Sequence, residues 1–92
     1  MNNKRRKVLR DLIEKIEDTK STLEELKEEL EGVKEEEEEA YENLPDGIKY
    51  SEKGEASESA VSNLEEAVDA IEEAMSQLED TPSLIEEAVE GA

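Results

Sequence analysis

The sequence predicts an all-α protein: an antiparallel two-helix coiled-coil hairpin with a short third helix at its C-terminus, assembling into a dimeric bundle. Three observations carry that expectation. Apolar residues recur at alternating three- and four-residue steps along two long stretches, Leu9 to Leu44 and residues 57 to 78. A Pro45-Asp46-Gly47 turn signal lies between them. The second stretch carries two such stripes, one large (Val61, Leu64, Val68, Ile71, Met75, Leu78) and one small (Ala60, Asn63, Ala67, Ala70, Ala74, Gln77). The large stripe has the other helix to pack on, whereas the small one needs a further partner, and in so short a chain that partner is expected to be a second copy.

The first helix is expected over about residues 4–44, in a single domain spanning 1–92. Its stripe is Leu9, Leu12, Ile16, Thr19, Leu23, Leu26, Leu30, Val33, Glu37, Ala40 and Leu44; with Leu9 at heptad position a, only Thr19 and Glu37 break the apolar rule at a and d. Glu37 reads as a carboxylate reaching water at a thin part of the bundle, since an unpaired buried charge is costly. Pro45 stops the helix, and in the connection 45–50 Gly47 is expected to supply a positive φ while Ile48 and Tyr50 plug the open end. Ser51 is placed to cap a second helix over about 51–80, with Glu52 and Glu55 near the positive end of its dipole. Gly54 sits at a core-like position and predicts close packing against the first helix near Tyr41. Asp80-Thr81-Pro82-Ser83 marks the next boundary, Thr81 as a cap and Pro82 in the first turn of a third helix over about 82–90. Its apolar face, Leu84, Ile85, Ala88 and Val89, is expected to dock where Val8 and Ile13 broaden the stripe of the first helix.

Antiparallel layers have residue numbers of constant sum. A sum of 101 sets Leu23 against Leu78, Leu26 against Met75, Leu30 against Ile71 and Val33 against Val68. At the flanks, Lys20, Lys27 and Lys34 recur every seven residues, as do Glu65, Glu72 and Glu79, which predicts the pairs Lys20 with Glu79, Lys27 with Glu72 and Lys34 with Glu65. Such pairs select orientation more than they add stability.

The core must be thin, because only 34% of 92 residues are apolar and two tyrosines are the only aromatics. Charge is lopsided. The net charge is −18, yet Lys4, Arg5, Arg6, Lys7 and Arg10 put five cations in the first ten residues, leaving −23 on the rest. The acidic body should repel nucleic acid and anionic lipid, so neither direct DNA binding by that body nor a membrane partner is expected. The basic segment reads as a flexible arm or an intramolecular partner for Glu86, Glu87 and Glu90, in preference to a short nucleic-acid arm, because no aromatic or second basic stretch accompanies it. Val8-Leu9 is broken at once by Arg10 and Asp11, so no signal-peptide core follows the basic start, and no stretch is long enough to span a bilayer. The expected location is the cytoplasm.

Enzymatic functions lack parts. There is no cysteine, no histidine, no nucleophile elbow and no phosphate-cradling glycine loop, and the serines fall where helix caps fall. A two-helix hairpin also offers little concavity in which to shift the pKa of one carboxylate in a pair. No enzyme activity, metal or cofactor is expected, and Asp46-Gly47 alone does not make a calcium loop. What remains is the outward face of the first helix, whose carboxylates include Glu24, Glu28, Glu31, Glu35, Glu38, Glu39 and Glu42. Along the helix they reach about one per 3.5 Å, close to the ~3.4 Å phosphate spacing of a DNA strand, with few lysines to offset them.

The segments Tyr41-Glu42-Asn43-Leu44-Pro45, Ser51-Glu52-Lys53-Gly54-Glu55 and Asn63-Leu64-Glu65-Glu66-Ala67 resemble a group of small acidic helical proteins of phages and mobile elements of Gram-positive bacteria. The resemblance covers roughly residues 41 to 78; it implies a mobile-element context and no functional residue. The expected function is a non-enzymatic, self-associating interaction protein that presents its nucleic-acid-like acidic face to a basic host protein as an inhibitor. The alternatives are a structural or assembly coiled coil whose acidity serves solubility, and a small-ligand sponge with its site between protomers.

Overall fold

A computed structural model describes residues 1–91, which form four helices: α1 (Asn3–Glu42), α2 (Asp46–Lys49), α3 (Glu52–Glu79) and α4 (Thr81–Gly91). The molecule is a rod of 69 × 15 × 13 Å. Helices α1 and α3 run antiparallel along its length. Lys27 Nζ meets Glu72 Oε1 at 3.0 Å, Ser57 Oγ donates to Glu37 Oε1 at 2.7 Å, and Arg6 Nε donates to the Val89 carbonyl at 3.3 Å, so early residues of α1 face late ones of the chain.

The seam differs from the expected a/d stripe. On the face of α1 turned to α3, Leu9, Ile13, Ile16, Lys20, Leu23, Lys27, Leu30, Lys34, Glu37 and Tyr41 are half-buried, with Leu44 just beyond the helix, again at 3-4 spacing but rotated to positions a and e; Arg6, Glu31, Gly32 and Glu38 are half-buried beside them. Leu12, Leu26 and Val33 are left 41%, 43% and 52% exposed, at the edge of the contact and not at its centre, where the layers Leu26–Met75 and Val33–Val68 would place them. The physical reason lies in the lysines. Their aliphatic stems cover apolar surface of α3 while the ammonium groups stay at the rim, and Lys27 gains Glu72. A single partner helix covers one side of α1 only, and it takes the side where the stems can spread. The Lys27–Glu72 pair forms as expected; Lys34 turns instead to Glu38 at 3.9 Å, and Lys20 flanks a shallow groove with Glu79.

On α3 the covered positions are Gly54, Ser57, Val61, Leu64, Val68, Ile71, Met75 and Leu78, which includes the whole large stripe, together with Ala60, Ala67 and Ala74 of the small one. Only Val68 and Val89 are buried apolar residues among those described, which confirms how thin the core is. Glu37, at a seam position, is satisfied by Ser57 rather than left unpaired.

The connection is tighter than a simple turn. After Asn43 caps α1, Pro45 accepts from the amides of Ile48 and Lys49 at 2.9 and 3.0 Å, and α2 makes one helical turn. Gly47 accordingly has no positive φ, contrary to expectation; a helical turn needs none. Nor do Ile48 and Tyr50 plug the open end. Ile48 is 38% and Tyr50 84% exposed, while half-buried Tyr41 fills that place with Lys49 Nζ 5.6 Å from its ring centre. Gly54 is buried by close approach, and the atoms nearest to a Cβ built there are backbone atoms of Lys49 and Ile48 in α2, on which that Cβ would land. Ser51 stands at the N-cap, yet its hydroxyl donates back to the Ile48 carbonyl at 2.5 Å and makes no cap bond.

At the other end α3 bends into α4 at Asp80, whose carbonyl accepts from Leu84 N at 3.1 Å. Thr81 is the first residue of α4 rather than its cap, its hydroxyl donating to the Gln77 carbonyl at 3.4 Å. Helix α4 docks on the start of α1 with Val89 2% exposed. Of the two residues expected to receive it, Ile13 is half-buried and Val8 is 51% exposed. The basic segment meets a carbonyl rather than Glu86, Glu87 or Glu90: a guanidinium at the C-terminal end of α4 complements the unsatisfied carbonyls there.

Candidate interaction surfaces

Two surfaces stand out, one acidic and one apolar. The acidic one comprises Glu24, Glu28, Glu31, Glu35, Glu38, Glu39 and Glu42. At 3.6 residues per turn these fall within an arc of about 100° along about 27 Å of α1. The helix forms because almost every residue from 23 to 42 is a good helix former, with no proline to interrupt it. Its 40-residue continuity is what aligns the carboxylates into one row. Five of the seven are exposed; Glu31 and Glu38 are half-buried where Lys27 and Lys34 approach them at 3.8 and 3.9 Å. Those two lysines partly neutralise one edge of the row, and Lys27 holds its proton more tightly than usual because of its hydrogen bond and charge contact with Glu72.

The apolar surface was not anticipated as a surface. Since the lysine flank of α1 borders the Glu72 flank of α3, the opposite flank of α1, with Leu12, Thr19, Leu26 and Val33, borders the side of α3 that carries Ala60, Ala67 and Ala74. The two helices therefore share one open apolar flank. Within the small stripe, Ala60, Ala67 and Ala74 are half-buried against α1, whereas Asn63, Ala70 and Gln77 are exposed. The signal for this flank was present in the heptad of lysines: three long stems at position e can occupy a seam and displace the d residues from it.

Among the described residues no group of three or more His, Cys, Asp or Glu side chains is arranged to hold a metal ion, and no helix is long and apolar enough to cross a membrane. Fold and surfaces together define an elongated acidic helical hairpin with one charged row and one bare apolar flank. No protein family, curated protein or solved structure matches the chain.

Proposed function

We propose that this chain is a non-enzymatic, self-associating acidic interaction protein whose α1 row binds a basic protein surface that otherwise takes nucleic acid. The row of carboxylates on one side of an unbroken 40-residue helix supports this reading. Its spacing presents a basic partner with charge at nearly the density of a phosphate backbone. As the finer part of the same proposal, the chain acts as an inhibitor of that partner in the cytoplasm, in a mobile-element context.

The test is displacement of fluorescein-labelled duplex DNA from a panel of cationic DNA-binding proteins. Wild type should displace the duplex from at least one, less effectively as salt rises. Glutamine at Glu24, Glu28, Glu35, Glu39 and Glu42 should weaken displacement by about tenfold or more, while glutamine at Glu55, Glu58, Glu65, Glu66 and Glu73 of α3, equal in net charge, should not. Equal weakening by both variants would reduce the row to bulk charge, and no displacement by wild type would leave the acidity serving solubility. Self-association is read separately, as molar mass by light scattering at tens of micromolar.

A further inference from the structure

We infer that a second copy of this chain covers the open flank of α1, lying antiparallel to the first about a two-fold axis beside Thr22, so that Leu12 packs on the partner's Val33 and Thr19 on the partner's Leu26. The inference specifies the self-association proposed above and rests on it.

The first support is the flank itself. Leu12, Leu26 and Val33 follow a seven-residue repeat with Leu9, Ile16, Leu23 and Leu30, yet the hairpin covers only the latter four. In a four-helix bundle each helix contacts two neighbours at about right angles and points its a and d residues at the centre between them. Helix α3 supplies one neighbour of α1, on the lysine side. A second neighbour on the opposite side would complete the a/d core, which explains why the a/d pattern holds along α1 while the isolated hairpin uses a and e.

Charge decides which occupant and which direction. At one end of the rod, residues 1–15 and 81–91 carry six basic against five acidic side chains; at the other, residues 35–59 carry ten acidic against two basic. Stacking two copies with like ends together would oppose two strongly negative ends. Turning one copy end for end sets residues 4–10, with Lys4, Arg5, Arg6, Lys7 and Arg10, level with the partner's residues 35–41.

The register then follows from three independent alignments. Helix α1 spans Asn3–Glu42, so complete overlap puts the axis between residues 22 and 23. That same axis brings Leu12 level with the partner's Val33. It also sets Lys15, which flanks the stripe, against the partner's Glu29, and Thr22 against the partner's Thr22, with no charge at the axis. The pairing at odds with it is Asp18 beside the partner's Glu25 at the rim, where water and salt screen it. A two-fold centred instead near Ala67 and Ala70 would bring α1 together close to Glu29 and the partner's Glu29, a like-charge contact.

Single-cysteine variants decide, since the chain has no cysteine of its own. Thr22→Cys should link two chains under a short bis-thiol reagent, and Ala70→Cys should link far less. Charge exchange supplies a second reading: Lys15→Glu should weaken the dimer by about tenfold or more, and Lys15→Glu/Glu29→Lys should restore it. A dimer that links through Cys at 70 and not at 22, or a double exchange that fails to restore it, overturns this axis and leaves self-association standing. A wild-type mass of one protomer at tens of micromolar overturns both.

Discussion

Lys27 Nζ lies 3.0 Å from Glu72 Oε1, an ion pair across the hairpin that fixes which flank of α1 borders which flank of α3. From that contact follow the lysine-lined rim and the open flank opposite it; with Ser57 on Glu37 and Arg6 on the Val89 carbonyl it also gives the antiparallel direction. Cysteines at Lys27 and Glu72 should therefore cross-link within one chain more readily than cysteines at Lys27 and Glu79, one heptad away. Mass spectrometry of non-reduced protein reads the result, and equal yields would displace the register.

Two glycines should respond in opposite directions to alanine. A Cβ at Gly32 meets nothing within 4 Å, so Gly32→Ala should stabilise the helix by about 0.5–1 kcal/mol. A Cβ at Gly54 lands on the Lys49 carbonyl, which is backbone and cannot swing away. Gly54→Ala should cost about 1–3 kcal/mol despite its better helix propensity. Thermal melts of the two variants give the comparison.

Alkaline pH should loosen the open end. Desolvation, with the charge of Glu58 adding to it, raises Tyr41 above 10.0, and the hydrogen bond to Glu72 raises Lys27 above 10.5. A folded-state pKa above the unfolded one contributes stability in full below the unfolded value and loses it as pH rises through the folded one. The melting temperature should thus keep the full contribution of these groups, with no pH dependence from them, between about pH 7 and 9, and fall above about pH 10. In Tyr50→Phe, where Tyr41 is the one remaining tyrosine, its ultraviolet titration should have a midpoint above that of a free phenol; a midpoint at or below it would remove Tyr41 from the apolar end.

Added sodium chloride should raise the melting temperature over the first few hundred millimolar. A net charge of −18 on a rod 15 × 13 Å in section repels itself, and screening acts within about 10 Å near 0.1 M salt. A steady fall would mean that the lysine–glutamate contacts outweigh the repulsion.

Much of this molecule was legible in its sequence, and the reason is local. Heptad spacing, the proline after Leu44, and the Thr81-Pro82 boundary act within a few residues, so they place the three main helices to within two residues at each end. The lysine and glutamate heptads carried the antiparallel pairing because charge pattern repeats with the helix. The acidic row needed only helical periodicity to become a face. Tertiary structure alone decided which side of α1 faces α3, since a and d residues and a and e residues both make 3-4 stripes and the choice depends on whether lysine stems or leucines occupy a single contact. It likewise decided that Tyr41, not Tyr50, closes the open end, and that Gly54 yields to the α2 backbone, because a one-turn helix after Pro45 moves those carbonyls to where periodicity alone would put α1.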